Sequence, residues 1–136
     1  MYNSEIHEKE FINIFIEKEK RERIMSLIKS EKTRKKFRQL LAHNIYLVKS
    51  NSYPLNANMA MKEDIYLELK KYGAPDNCWI MCEDSSYDHK EMKLENALNS
   101  LLDTGLGFII SCIPGKIAFY QGENLSCILL ISNNYK

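Results

Sequence analysis

Apolar residues early in the chain recur every three or four positions, the spacing that places side chains on one side of a helix. Two such groups, at 11–15 and 24–28, stand on either side of the charged stretch EKEKRER. Because the apolar phase slips across that stretch, residues 10–30 are predicted to form one long helix with an exposed middle, or two shorter helices.

Two further helices are predicted before the sheet. Ser30 can cap a helix over 31–44, in which apolar positions form one stripe and the other side is basic. A third helix is predicted over 60–72, where Gly73 supplies a left-handed end. The segment 47–58 is rich in Ser and Asn and contains Pro54, so it is predicted to be a loop.

The second half of the chain carries strand patterns. The run CWIMC at 78–82 is apolar at every position, as expected of a strand covered on both faces. The runs 107–113, 116–121 and 125–131 are separated by turn residues at 114–115 and 122–124, which predicts an antiparallel meander. Between them, 88–105 repeats apolar residues at helical spacing, and Asp88 with Glu91 resembles a capping box. These patterns predict four strands and a fourth helix.

A strand, a helix and a strand in succession predict a crossover in which 78–82 and 107–113 are parallel. The predicted fold class is therefore α+β: N-terminal helices plus one four-stranded mixed sheet containing a β-α-β crossover followed by an antiparallel meander, with helices on both faces. The length of 136 residues suits one domain spanning 1–136, mainly helical in 1–75 and sheet plus one helix in 76–136.

Parallel strands end at the same edge of a sheet, where ligands commonly bind. The two predicted ends are the segments 82–89 and 111–116, so their polar side chains are expected to converge. The candidate binding residues there are Glu83, Asp84, Asp88 and Lys116.

The same ends carry the residues of a nucleophilic site. Cys112 or Cys82 would be the thiolate, His89 the base, and Asp84 or Asp88 the carboxylate that orients the imidazole. The favoured alternative is that the thiols pack as small apolar groups, that Asp88 caps the fourth helix, and that His89 is exposed in its first turn. No catalytic residue is therefore assigned. No metal site is predicted, because neither CxxC nor HExxH occurs.

Composition is that of an ordinary globular protein, with 45% hydrophobic and 27% charged residues. The longest apolar runs are far shorter than a bilayer-spanning helix, and the acidic N-terminus is unlike a secretory signal. A cytoplasmic location and four free cysteines are expected. No phosphate-binding or dinucleotide motif occurs, so no cofactor is predicted.

Charge is distributed unevenly along the chain. Residues 1–49 carry 12 Lys and Arg against 7 Asp and Glu, whereas 50–136 carry 7 against 11. The basic run at 32–38 makes nucleic-acid binding a weaker alternative, because the net charge is only +1 and no nucleic-acid-binding motif accompanies it.

These observations predict a small cytosolic protein-binding or regulatory module without catalytic activity, such as a toxin-neutralising or immunity protein. A protein partner of unknown identity is expected, with no membrane association. The alternative is a small thiol-dependent enzyme with its site at 82–89 and 111–116.

Overall fold

The computed structural model describes residues 4–43, 45–55, 61–122 and 126–135, which form five α-helices and six strands. The helices are α1 (Ser4–Phe15), α2 (Lys18–Leu27), α3 (Glu31–His43), α4 (Lys62–Lys71) and α5 (Leu94–Leu101). The strands are β1 (Ser52–Leu55), β2 (Asn77–Cys82), β3 (Lys90–Lys93), β4 (Phe108–Ile113), β5 (Ile117–Gln121) and β6 (Cys127–Ile131). Several predicted positions lie outside the described residues: 44, 56–58, 60 and 123–125.

The predicted helical segments are present, with local corrections. Segment 10–30 forms two helices, and the break between them lies where Ile16 makes an antiparallel bridge to Leu47. The cap predicted at Ser30 is confirmed, since the Thr33 amide donates to Ser30 Oγ at 3.3 Å. The predicted left-handed end of the third helix is also confirmed, because Gly73 has a φ of 95°.

All six strands lie in one sheet, in the order β1-β6-β5-β4-β2-β3, and every neighbouring pair is antiparallel. The four predicted strands are present, but the prediction of a four-stranded mixed sheet is wrong. Strand β1 lies in the predicted loop and contains Pro54, which a sheet tolerates at an edge. Strand β3 lies in what was expected to be the start of the fourth helix.

The predicted parallel crossover is wrong because β3 adds a reversal. After β2 the chain turns back and pairs with β2 as the edge strand KEMK, and α5 begins only then, at Leu94. Helix α5 therefore starts from the opposite end of the sheet, and β4 runs antiparallel to β2. The short, polar sequence of β3 lacks an apolar alternation that would separate it from the helical pattern that follows.

Helices cover both faces of the sheet, as predicted. Alternate residues of β2 point to opposite faces, so that Cys78, Ile80 and Cys82 pack with α4 and α5. Trp79 and Met81 pack with α1, α2 and α3 on the other face. We call the layer formed by α1, α2 and α3 the N-terminal helical layer.

The C-terminal end of α3 is fixed against the sheet. A Cβ atom at Gly107 would collide with the backbone of Leu41, so the absence of a side chain there permits the close approach. The Tyr120 hydroxyl donates to the Leu41 carbonyl at 2.6 Å. Among the described residues, no helix has the length and apolar character needed to cross a bilayer.

Candidate functional site

The antiparallel pairing of β2 with β4 separates the two segments that were expected to converge. Cys82 lies opposite Phe108, and Trp79 lies opposite Ser111. Segment 82–89 therefore leaves one end of the sheet, and segment 111–116 leaves the other. The prediction that the two segments converge is wrong, because it depended on parallel strands. The roles assigned to the individual residues stay predictions.

All four cysteine thiols are free and buried. Cys112 shares a strand face with Phe108 and Ile110 in the core, as its position in the strand predicted. A hydrogen bond with Cys78, together with burial, raises the pKa of Cys112 well above its usual range. Burial raises the pKa of Cys82 to about 11. Neither thiol has the electropositive, partly exposed surroundings that activate a cysteine.

Three of the candidate binding residues make separate contacts and share no common site. The Gly107 amide donates to the Glu83 carboxylate at 2.9 Å. Asp84 accepts hydrogen bonds from the amide and hydroxyl of Ser86, and these bonds lower the pKa of Asp84. The Lys116 ammonium lies 5.9 Å from the ring centre of Tyr135, at the other end of the sheet.

The fourth candidate, Asp88, belongs to a buried cluster of charges that joins three elements. Arg34 on α3 donates to both oxygens of Asp88, at 2.6 and 3.1 Å, and to both oxygens of Glu8 on α1, at 2.8 Å each. All three side chains are at most 6% exposed. Asp88 was expected to cap the fourth helix, but α5 begins six residues later, and Asp88 instead accepts from the Cys82 amide at 2.9 Å.

Glu8 carries its charge in spite of burial. Burial by itself would raise the pKa of Glu8, but hydrogen bonds and the positive charge of Arg34 outweigh it and lower the pKa. The Trp79 indole N–H donates to Glu8 Oε2 at 2.8 Å, so the carboxylate has donors from several directions. A buried carboxylate with this many donors is satisfied without water.

His89 lies at the exposed side of this cluster. Its Nδ1 is 2.9 Å from Glu8 Oε2, and its ring packs edge-on against Trp79. Because the ionised carboxylate of Glu8 only accepts hydrogen bonds, Nδ1 of His89 must be the donor and carries a proton. The side chain is 54% exposed, as expected, although His89 lies in a loop with a φ of 61° instead of in a helix.

A cavity of about 320 Å³ opens beside the cluster, between the start of α3 and the loop 83–89. Its lining includes Lys29, Glu31, Arg38, Asp88 and His89. The cavity brings together two candidates from the sequence, Asp88 and His89, with residues of the predicted basic run. Within the described part of the chain, no group of three or more His, Cys, Asp or Glu residues is arranged to hold a metal ion.

Glu8 and Arg34 were not recognised as site residues, yet the sequence carries a signal for them. Arg34 precedes Phe37 and Leu41 at i+3 and i+7, which places it on the apolar stripe of α3. Glu8 stands at the same spacing before Phe11 and Phe15 on α1. Opposite charges on the apolar stripes of two different helices are a pattern typical of a buried ion pair.

In comparisons with known proteins, no protein-family model, curated protein or solved structure matches the chain.

Proposed function

We propose that this chain is a non-catalytic binding module whose N-terminal helical layer recognises an acidic protein partner, in the manner of a regulator or a toxin-neutralising protein. The observation that carries the proposal is the placement of charge. The basic part of the sequence forms the layer on one side of the sheet, while α4 and α5 cover the other side.

The outward side of α3 presents much of this positive charge. Lys32, Lys35 and Lys36 are exposed, whereas Phe37 and Leu41 on the same helix are buried against the sheet. Positive charge concentrated on one side of a protein steers association with partners of the opposite sign. The same face offers an acidic partner several cations that are already free of the core.

Burial of the thiols supports a binding role over thiol chemistry. The two thiols proposed as nucleophiles, Cys82 and Cys112, are at most 2% exposed, and both have raised pKa values. A reactive thiol needs access and a lowered pKa. His89, the proposed base, is exposed, and its Nδ1 is bound to the buried carboxylate of Glu8.

Capture from native lysate with three forms of the tagged protein tests this proposal. The first variant replaces Lys32, Lys35 and Lys36 with Gln. The matched control replaces Lys62, Lys71 and Lys93 with Gln, which removes the same charge outside the N-terminal helical layer. We expect the wild type and the control to retain one protein after nuclease treatment, and the α3 variant to lose it.

Two results would count against the proposal. Equal capture of the same protein by all three forms would mean that the N-terminal helical layer is not the binding face. Loss of the captured protein on nuclease treatment would mean that nucleic acid mediates the contact.

A further inference from the structure

The inner wall of the cavity beside α3 contains charges that are already matched. Arg34 uses its Nε and both terminal nitrogens on Glu8 and Asp88, at distances of 2.6 to 3.1 Å. Asp88 accepts in addition from the Cys82 amide. These distances are typical of charge-assisted hydrogen bonds, so these groups have little capacity left for a ligand.

Arg38 lines the same cavity and is matched less well. Its side chain is only 16% exposed, yet its ion pairs are long: 3.5 Å to Glu31 and 3.7 Å to Asp88. Guanidinium–carboxylate hydrogen bonds are normally about 2.7–2.9 Å long, and the group has five N–H donors. Arg38 therefore has donors available to a closer acceptor.

Glu31 shows which chemical group fits opposite Arg38. Its side chain is 80% exposed and reaches Arg38 from the first turn of α3, and both residues line the cavity. An exposed side chain held by one long contact can rotate away at little cost. A carboxylate arriving from outside could take its place at a shorter distance.

The balance of positive and negative charges around the cavity favours the binding of one incoming carboxylate. Lys29, Arg34 and Arg38 line the cavity together with Glu31 and Asp88. Glu8 lies behind its wall and is bound to Arg34, so these six charges are balanced while Glu31 is present. When Glu31 turns outward, one positive charge remains uncompensated. The cavity is therefore suited to one carboxylate and has no compensation for a second.

We propose that this cavity is a carboxylate-binding pocket in which Arg38 takes an Asp or Glu side chain of the partner and Glu31 is the internal competitor. Lys29 and His89 are the exposed residues at its edge. This inference rests on the proposed function, since the partner's acidic surface supplies the side chain. It adds one specific contact to the general attraction of the N-terminal helical layer.

Titration of the ¹⁵N-labelled protein with N-acetyl-tetraglutamate amide tests the pocket. We expect saturable shifts of the amide signals at 29–33 and 85–89. Arg38→Gln should weaken binding about tenfold, because a charge-assisted hydrogen bond is lost. Glu31→Gln should strengthen binding about threefold or more, because the competing carboxylate is removed. Lys35→Gln, the same charge change on the exposed side of α3, should alter the affinity less than twofold.

The increase in affinity expected for Glu31→Gln cannot arise from unfolding. It therefore tests the carboxylate pocket even if Arg38→Gln fails to fold. Unchanged or weaker binding by Glu31→Gln would overturn the proposal, as would equal losses in Arg38→Gln and Lys35→Gln. Binding of tetrauridylate as tight as that of tetraglutamate would also overturn it, in favour of a phosphate ligand.

The pocket and the proposed function can fail separately. If the captured partner responds to the three lysines of α3 but not to Arg38→Gln or Glu31→Gln, the pocket is wrong and the binding face stands. If tetraglutamate binds as expected but the lysate contains no partner that depends on the lysines of α3, the pocket stands and the proposed function is wrong.

Discussion

Replacing Arg34 with Met should cause a large loss of stability. The change leaves the carboxylates of Glu8 and Asp88 buried, at 3% and 6% residue exposure, and removes four hydrogen bonds. Removing one partner of a buried ion pair typically costs about 3–5 kcal/mol. Since a domain of this size is usually stable by about 5–15 kcal/mol, the variant should lose about a fifth of its stability or more.

Urea unfolding followed by tryptophan fluorescence measures this loss directly. Trp79 is the single tryptophan, and its indole donates to Glu8 within the same cluster, so its emission reports on the region that is changed. Far-UV circular dichroism should give the same midpoint if unfolding has two states. The exposed Lys35→Met is the matched control, with an expected change within about 0.5 kcal/mol.

A compensating variant separates lost charge balance from lost packing. Adding Glu8→Gln and Asp88→Asn to Arg34→Met removes the uncompensated charges, so this triple variant should be more stable than Arg34→Met alone. The reasoning is refuted if Arg34→Met costs less than about 1 kcal/mol, or if the triple variant is less stable than the single one.

Three further outcomes follow from other residues. Burial lowers the pKa of His7 from 6.5 to about 4, so the unfolded chain binds a proton more readily between these values. Stability should therefore fall as the pH drops through this window, and His7→Gln should reduce the difference between urea midpoints at pH 7 and pH 5; an unchanged difference would contradict this. Native Cys112 should react slowly with iodoacetamide at pH 7, and Cys112→Ala should lose about 1–2 kcal/mol in urea unfolding; labelling within minutes would show an accessible thiolate. Affinity for DNA or RNA at about 150 mM salt should be no tighter than about 10⁻⁶ M by fluorescence anisotropy; sub-micromolar binding that is lost with Lys35 and Lys36 would contradict the assignment of α3.

Local sequence signals predicted most of the individual elements. Strands β2, β4, β5 and β6 carry dense apolar runs that helices cover on both sides, and these runs are visible without knowledge of the fold. The caps at Ser30 and Gly73 are likewise local, because each depends on one residue and its neighbours. Predictions from such signals are confirmed in the structure because they do not depend on contacts between residues distant in sequence.

The edge strands could not be predicted in the same way. Strand β1 has the sequence SYPL, and β3 has KEMK; both are short, and both are at the edge of the sheet. Short, polar or proline-containing strands suit edges because they resist pairing with other chains, but those properties also make them resemble loops and helix starts. Omitting β3 reversed the predicted direction of β4 and so displaced the predicted site.

The buried charge cluster depends on the tertiary fold. Glu8, Arg34 and Asp88 are 26 to 81 positions apart from their partners in the cluster, so spacing alone could not pair them. The positions of Glu8 and Arg34 on apolar stripes predict burial, but the choice of partner follows from how α1 and α3 pack on the same face of the sheet. The hydrogen bond between His89 and Glu8 could not be predicted from the sequence for the same reason.

Isothermal titration calorimetry between the purified partner and three forms of the protein tests the central claim, that the N-terminal helical layer is the binding face. If each exposed lysine of α3 contributes about 0.5 kcal/mol, replacing Lys32, Lys35 and Lys36 with Gln should weaken binding about tenfold. The matched Lys62, Lys71 and Lys93 variant should remain within about twofold of the wild type, since partial screening limits the effect of distant charges. Equal affinity of all three forms would contradict the claim.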